Sequence, residues 1–255
     1  MLLVGRRVLV TGVLTESSLA GAVVREARAQ GAEVLLTSPV CRAHRVTSRV
    51  APRLGVDAPV LELDVELPDD LAALPDAVRE AGWDGVDGLV HAIAYLGDGD
   101  RSAGFAAAPW DAVAPALQTA TWSMAAVVHA LRPLLTRGSS VVGLTLDPSR
   151  ARAGADWLPV ARAGLAAVTR QLAREVGPDG VRVNLVASGP ARTMLSRALP
   201  ETEALVAEWA ERAPLGWDAD DSAAVGRTVA ALLSDLLPAT TGDVVHADGG
   251  RHAVE

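Results

Sequence analysis

Apolar and polar positions alternate along this chain in blocks. Short, nearly continuous apolar runs occur at Arg7–Val10, Glu33–Thr37, Val60–Val65, Gly88–Ile93, Ser139–Leu146, Val181–Ala187 and Val244–Ala247. Between them lie stretches with helical spacing. These are Ser18–Gln30, closed by Gly31; a long region Pro109–Leu135, punctuated by Pro115 and Pro133; Leu158–Val176, stopped at Gly177-Pro178; Glu201–Arg212; and Ala223–Leu233. Unbroken apolar runs suit strands buried on both faces, and the intervening helices supply the cover. The pattern predicts an α/β fold: a single Rossmann-type, doubly wound parallel sheet of about seven strands with helices on both faces. No repeat or linker divides it, so residues 1–255 read as one domain. Ligands in such folds bind at the carboxyl ends of the strands, near the point where strand order reverses.

Composition narrows the class of function. At 255 residues and 50% hydrophobic, the chain can bury one sizeable core. The net charge is −8, and no basic cluster is interleaved with aromatics, which argues against a nucleic-acid partner. No apolar run approaches the ~18 residues needed to span a bilayer, so no membrane partner is expected. Met1 to Arg7 reads as the approach to a first strand, with no signal-peptide pattern. The lone Cys41 excludes an internal disulfide and suggests a reducing, cytoplasmic setting. No metal is expected. One bias matters for chemistry: all 23 basic residues are arginine, and the only tyrosine is Tyr95. A mechanism that needs lysine is excluded, and one that needs tyrosine must use Tyr95.

The first run ends in Thr11-Gly12-Val13-Leu14-Thr15-Glu16-Ser17-Ser18-Leu19-Ala20. A glycine turn opening a helix offers free backbone N–H groups to a pyrophosphate. Ser17 and Ser18 can cap that helix or donate to phosphate. Further blocks follow in order: Leu61-Glu62-Leu63-Asp64-Val65, Gly88-Leu89-Val90-His91-Ala92-Ile93, Asp147-Pro148-Ser149-Arg150-Ala151, Gly180 to Val186, Gly189-Pro190-Ala191-Arg192-Thr193, Leu232 to Asp243 and Ala247-Asp248-Gly249-Gly250. Together they resemble the NADH-dependent enoyl-acyl-carrier-protein reductases of the short-chain dehydrogenase/reductase superfamily, most strongly their long-chain, isoniazid-sensitive branch. The resemblance runs over almost the whole chain.

That resemblance implies roles by position. Gly12, Val13, Leu14, Ser18 and Leu19 would line the pyrophosphate. Pro39 would lie beside the adenine ribose, Asp64 and Val65 would hold the adenine, and Ala92, Ile93 and Ala94 would pass under a ribose. Leu144 and Arg162 join the cofactor set. Gly189, Pro190, Ala191 and Thr193 would meet the nicotinamide and phosphates, with Thr193 as a donor. NAD(H) is the implied cofactor. No acidic residue follows the second run, and Arg42 and Arg45 are near enough to meet a 2′-phosphate, so NADP(H) stays open. On the residues alone, Asp64 also reads as a strand-end carboxylate capping a turn. Asp147 and Arg150 read as a structural ion pair, and His91 as a satisfied core histidine.

At the catalytic positions the chain departs from the family. The family places a tyrosine that bonds the thioester oxygen, then six residues, then a lysine that holds the nicotinamide ribose. Those positions here are Ala155 and Arg162, and a further family aromatic is Leu146. Pro159 disfavours helix at Leu158 unless it falls in a first turn, so the helix is expected to start late. Tyr95, Asp156 and Arg162 are the candidate catalytic residues. Tyr95 follows the fourth run, and Asp156 could protonate substrate only if burial raised its pKa. Arg162 keeps the charge but cannot give up a proton at neutral pH.

Tyr95, Leu146, Ala155, Trp157, Met194 and Trp209 are candidate substrate-lining residues, with Trp122 and Met124 behind them. The segment Met194–Gly216 is shorter than in the long-chain branch, suggesting a shorter or differently shaped substrate. The expected partner is a small molecule or acyl thioester, free or carrier-protein bound. The expected assembly is a homotetramer built on Ala-rich helix faces.

The first functional reading is reduction of an enoyl thioester or other conjugated alkene with NAD(P)H at a non-standard site. Two alternatives stay open: repurposed non-redox chemistry (dehydratase, isomerase or cyclase) in a specialised biosynthetic pathway, or a non-catalytic binding homologue. Either could dispense with the cofactor.

Overall fold

The computed structural model describes residues 1–39, 42–93, 105–147, 149, 157–193, 196 and 202–254. Seven strands form one parallel sheet in the order β3-β2-β1-β4-β5-β6-β7. They are β1 (Arg7–Val10), β2 (Glu33–Ser38), β3 (Leu61–Glu62), β4 (Val86–His91), β5 (Leu135–Leu146), β6 (Arg182–Ser188) and β7 (Val244–Ala247). Order reverses between β1 and β4, which pair in parallel from Val8 with Gly88 to Val10 with Val90.

Strand residues feed two cores in alternation. Val8, Val10, Val90 and Val186 face a cluster with Val23 and Val24 of α1 (Leu19–Ala29) and Val225 and Val229 of α8 (Ala223–Leu233). Leu9, Leu89, Val183 and Leu185 face the other, with Leu74 of α3 (Pro68–Glu80), Met124 of α5 (Ser123–Leu131) and Leu165 of α6 (Leu158–Val176). Each strand is apolar on both sides because each side is covered. Truncating one of these buried leucines costs about 2–5 kcal/mol.

Four regions differ from the sequence reading. Residues 42–50 and 68–80, given no element by periodicity, form α2 (Arg42–Val50) and α3. Pro68 and the first-turn Asp69 and Asp70 are start signals for α3 that Pro75, inside the helix, obscured. The long region after Pro109 is not one helix. It runs as α4 (Trp110–Leu117), a π-helical turn Gln118–Trp122, and α5. The Thr119 hydroxyl bonds the Pro115 carbonyl and the Ser123 hydroxyl bonds the Thr119 carbonyl, so side chains serve acceptors along the widened turn. Pro115 lies inside α4, while Pro133 lies in the 3-10 turn that ends the helical region. Finally, β5 starts at Leu135 rather than Ser139. It pairs Leu135 with Val86, then slips by a bulge so that Ser140 meets Gly88, with Gly138 taking φ +94° in between.

Other boundaries moved by a few residues. The fourth strand ends at His91, before Ala92 and Ile93, and the third shrinks to Leu61–Glu62. Helix α6 spans Leu158–Val176 as expected, with Pro159 tolerated in its first turn. Among the described residues no helix is long and apolar enough to cross a membrane.

Candidate active site

A cleft of about 250 Å³ opens at the carboxyl ends of β1, β4, β5 and β6, beside the reversal in strand order. It gathers Gly12, Leu14, Ser18 and Leu19 from the first loop and α1, and Ala92 and Ile93 from the exit of β4. Leu144 and Leu146 come from β5, Arg162 from α6, and Gly189, Pro190, Ala191 and Thr193 from the exit of β6.

The first loop is shaped by close approach. Gly12 has φ +77°, and a Cβ there would lie 2.1 Å from the Ala92 carbonyl oxygen. Both facts demand glycine. The Thr11 hydroxyl donates to the Val90 carbonyl and accepts from the Ala92 amide at 3.1 Å each, tying the ends of β1 and β4 together. At Gly21 a Cβ would sit 2.6 Å from the Glu16 carbonyl, so the loop lies flat on the first turn of α1. These two contacts account for the sparse glycine pattern. Ser18 caps α1: its oxygen accepts from the Gly21 amide at 3.0 Å, and its proton goes to the Thr15 carbonyl at 2.7 Å. That proton is committed, so the donors offered to an anion are the first-turn amides of α1.

At the exit of β6, Gly189 rests on two tryptophans. Its Cβ would fall 2.5 Å from Trp217 and 2.8 Å from Trp209 Nε1. Trp217 donates to the Pro190 carbonyl and Trp209 to the Asp248 carbonyl. The Thr193 hydroxyl accepts from the Ser196 amide at 3.1 Å and the Thr193 amide donates to Ser196 Oγ at 2.9 Å, closing a tight turn.

Arg162 carries the charge in the cleft. One guanidinium nitrogen donates to the Leu144 carbonyl at 3.3 Å, and Nε is buried without a partner. Burial pushes its pKa down to about 10, so it is a cation at neutral pH. Among the described residues, no carboxylate offsets that loss of solvation. His91, fully buried at the end of β4, is held down to about 4 by burial first and by Arg162 second. It is therefore neutral. It is a core histidine as expected, but only Nε2 is satisfied, by Ser123 Oγ at 2.8 Å; Nδ1 has no partner.

Several anticipated residues lie elsewhere. Val13 is buried in the α1-side core, and its carbonyl accepts the Thr47 hydroxyl from α2 at 2.6 Å. Asp64 Oδ1 accepts the Glu66 amide at 3.0 Å, the turn-capping geometry, and Val65 packs into the other core. Pro39 follows β2 outside the cleft lining, and Arg45 is exposed on α2. Trp157 stacks on Phe105 with centroids 4.8 Å apart and donates to the Phe105 carbonyl. Trp209 is 3% exposed and turned away from the cleft. Trp122 is largely exposed and Met124 is buried beneath Gly143. Asp147 caps a turn by accepting from the amide and hydroxyl of Ser149. Ala94, Tyr95, Arg150, Ala155, Asp156 and Met194 lie outside the described residues.

Sequence reasoning missed Thr15, Ala20, Thr145, Leu158, Ser196, Thr202 and Leu205, which also line the cleft. Thr202 and Leu205 begin α7 (Thr202–Arg212), whose helical pattern was legible but whose cleft-facing side was not. Among the described residues, no group of three or more His, Cys, Asp or Glu side chains could hold a metal ion.

A dinucleotide suits this donor set. The glycine turn would be filled by any Cβ, Ser18, Leu19 and Ala20 at the start of α1 line the cleft, and a buried cation has no counter-charge among the described residues.

Comparison with known proteins agrees. Residues 12–252 match the family described as Enoyl-(Acyl carrier protein) reductase. The chain is 39% identical to the NADH enoyl-[acyl-carrier-protein] reductase of Mycolicibacterium smegmatis, covering 98% of this chain and 97% of that one. It is 40% identical to the Mycobacterium avium enzyme of the same description, with the same coverage. It is 29% identical to an NADPH-dependent enoyl-[acyl-carrier-protein] reductase of Staphylococcus aureus, covering 96% of each chain. The chain therefore belongs to the enoyl-acyl-carrier-protein reductase family of NAD(P)H-dependent oxidoreductases.

Proposed function

We propose that this protein reduces the carbon–carbon double bond of an enoyl thioester, carried by an acyl carrier protein or coenzyme A, with NADH. One observation carries the reading. A glycine-turn cleft at the strand ends holds a buried cation, Arg162, with no counter-charge among the described residues, where the family resemblance places its lysine.

The α1 amides behind Gly12, Leu14 and Ser18 would hold the pyrophosphate. The Gly189–Thr193 loop, stiffened by Trp217 and Ser196, would seat the nicotinamide end. NADH, when bound, supplies the hydride for the β-carbon of the substrate.

Arg162 then has two tasks. Its guanidinium can hold ribose hydroxyls, as the family lysine does. It can also donate a hydrogen bond to the thioester oxygen as negative charge builds there. It keeps its own proton throughout, because its pKa of about 10 lies well above neutrality. The α-carbon must take its proton from water or another acid. Leu144, Leu146, Leu158 and Leu205 add apolar side chains to the wall, which strengthens the cation's field.

Losing a tyrosine donor costs about 10²–10³ in rate, whereas fixed alignment of the reactants supplies effective molarities of about 10⁵ M or more. Hydride transfer to an activated alkene therefore survives that loss.

The test is NADH oxidation with crotonyl- and octenoyl-thioesters, followed by absorbance, with thermal melting beside it. Saturating NADH raises the melting temperature, by about 2.7 kcal/mol of linkage at 100-fold excess over Kd. Turnover across the panel supports the proposal. A melting shift without oxidation of any substrate supports the second reading, non-redox chemistry on the same scaffold, which the absent lysine and the single tyrosine, Tyr95, favour. No shift at all points to a binding homologue that has lost the cofactor.

A further inference from the structure

The chemistry above makes no use of His91, although it is fully buried beside the site. Its hydrogen bonding is determined by its neighbours. The Ser123 hydroxyl has one proton, and that proton goes to the Thr119 carbonyl, which can only accept. Ser123 Oγ must therefore accept from His91 Nε2, 2.8 Å away. Nε2 carries the ring proton, and Nδ1 is left as a bare acceptor, buried and without a partner. The depressed pKa agrees with a ring that stays neutral.

Arg162 presents the complement. Its Nε–H is a buried donor, also without a partner. The two groups share one end and one face of the sheet. His91 pairs in register with Gly143 of β5, and Arg162 bonds the carbonyl of Leu144, the next residue. Leu89, two residues before His91 and so on the same side of β4, packs in the core that also holds Leu165 of α6. A lone buried donor beside a lone buried acceptor is costly unless the two meet, directly or through one enclosed water.

We infer that His91 is the positioning residue for Arg162, its Nδ1 receiving the Arg162 Nε–H through one enclosed water and so orienting the guanidinium toward the cleft. The π-helical turn braces the pair from both sides. Ser123, at its end, fixes the imidazole, while the Thr121 hydroxyl donates to the Ala161 carbonyl, one residue before Arg162. Gly164 lets that turn sit close, since a Cβ there would meet Thr121 Cγ2 at 3.1 Å. The inserted residue of the π turn thus couples the strand-end histidine to the helix carrying the cation.

The role rests on Arg162 serving the reductase proposed above, so the first test is independent of activity. Imidazole ¹⁵N spectra of histidine-labelled apo protein should show His91 protonated at Nε2, with an Nδ1 signal typical of a hydrogen-bonded acceptor. Arg162→Leu should move that Nδ1 signal to the position of a free lone pair. An Nδ1–H tautomer, or no change on Arg162→Leu, overturns the inference whatever the protein catalyses.

The second test uses two isosteres. His91→Asn keeps an acceptor near Nδ1 and gives up Ser123; His91→Gln keeps a donor near Nε2 and gives up Arg162. If the protein turns over enoyl thioesters, His91→Gln should lower kcat by about tenfold with the NADH dissociation constant within twofold, and His91→Asn should stay within about threefold of wild type. The opposite order would mean that His91 only holds Ser123. Should either variant not fold, the spectra of wild type and Arg162→Leu decide alone.

Discussion

At the β1 end of the cleft, backbone meets backbone with no room to spare. A Cβ at Gly12 would sit 2.1 Å from the Ala92 oxygen, and Thr11 ties the two strand ends through both its hydroxyl functions. At the α6 end, a single arginine reaches one carbonyl at 3.3 Å and leaves its Nε unpaired. The first end binds through main-chain groups, which substitution of side chains hardly alters. The second depends on side chains, and there the cation is Arg162, in a chain that has no lysine and whose one tyrosine is Tyr95. Cofactor binding and chemistry can therefore diverge separately on one scaffold, and the variants below probe each end in turn.

The largest effect is expected at the rigid end. Gly12→Val must either push Ala92 away or leave the left-handed backbone region, which alone costs about 1–2 kcal/mol. NADH affinity, read by fluorescence quenching, should fall by about 100-fold or more, equivalent to about 2.7 kcal/mol. Unchanged affinity would mean that the dinucleotide does not lie on this turn.

At the other end, Arg162→Leu should lower kcat/KM by about 10²–10³. It should also raise the urea midpoint of the apo protein, because it removes a buried cation that has no counter-charge among the described residues. Opposite signs in activity and stability are the signature of a group retained for function. If both fall together, Arg162 is structural and the two ends do not differ in kind.

How much of this was legible from the chain follows the same division. The glycine turn, the seven strands and the span of α6 are local patterns, written in period and punctuation. So was the absence of lysine, which leaves arginine as the strong cation available to the cleft. The orphaned atoms were not legible. Whether His91 is satisfied depends on Ser123, 32 residues away, whose hydroxyl is engaged by a π turn that no hydrophobic period announces. Trp209 misled for a related reason. A tryptophan near a substrate segment reads as lining, yet its indole N–H finds the Asp248 carbonyl and its ring packs under Gly189. Thr202 and Leu205, less conspicuous in sequence, are the α7 residues that reach the cleft.

Acid should expose the cost of the buried histidine. The folded pKa of His91 is depressed to about 4, so the unfolded chain takes up a proton that the folded one refuses. Stability from this group is complete above the ordinary histidine value and is lost as pH falls from about 6.5 toward about 4, by roughly 3 kcal/mol in all. Among the described residues, Ser123 and Arg162 are the side-chain groups that act on the ring, and neither titrates in that window. Urea unfolding at about pH 7 and about pH 4 should show the wild type losing more stability than His91→Asn by that order. Equal losses would place His91 in contact with water and weaken the link between the π turn and the cation.

The smallest effect separates the wall of the cleft from its chemistry. Trp209→Phe keeps most of the packing under Gly189 but takes the indole donor from the Asp248 carbonyl, which keeps the longer bond from the Arg251 amide at 3.4 Å, at a cost of about 1 kcal/mol. Helix α7 is also held at this end by Arg251, whose guanidinium lies over Trp209 and pairs with Glu208 at 2.8 Å, so it should loosen rather than detach. A melting point lower by about 2–4 °C is expected. Because Leu205 and Thr202 line the cleft from α7 while Arg162 lines it from α6, KM for the thioester should rise a few-fold with kcat unchanged. A fall in kcat at constant KM would place α7 with the reacting end of the cleft, and the division between a binding end and a chemical end would have to be redrawn one helix further along the chain.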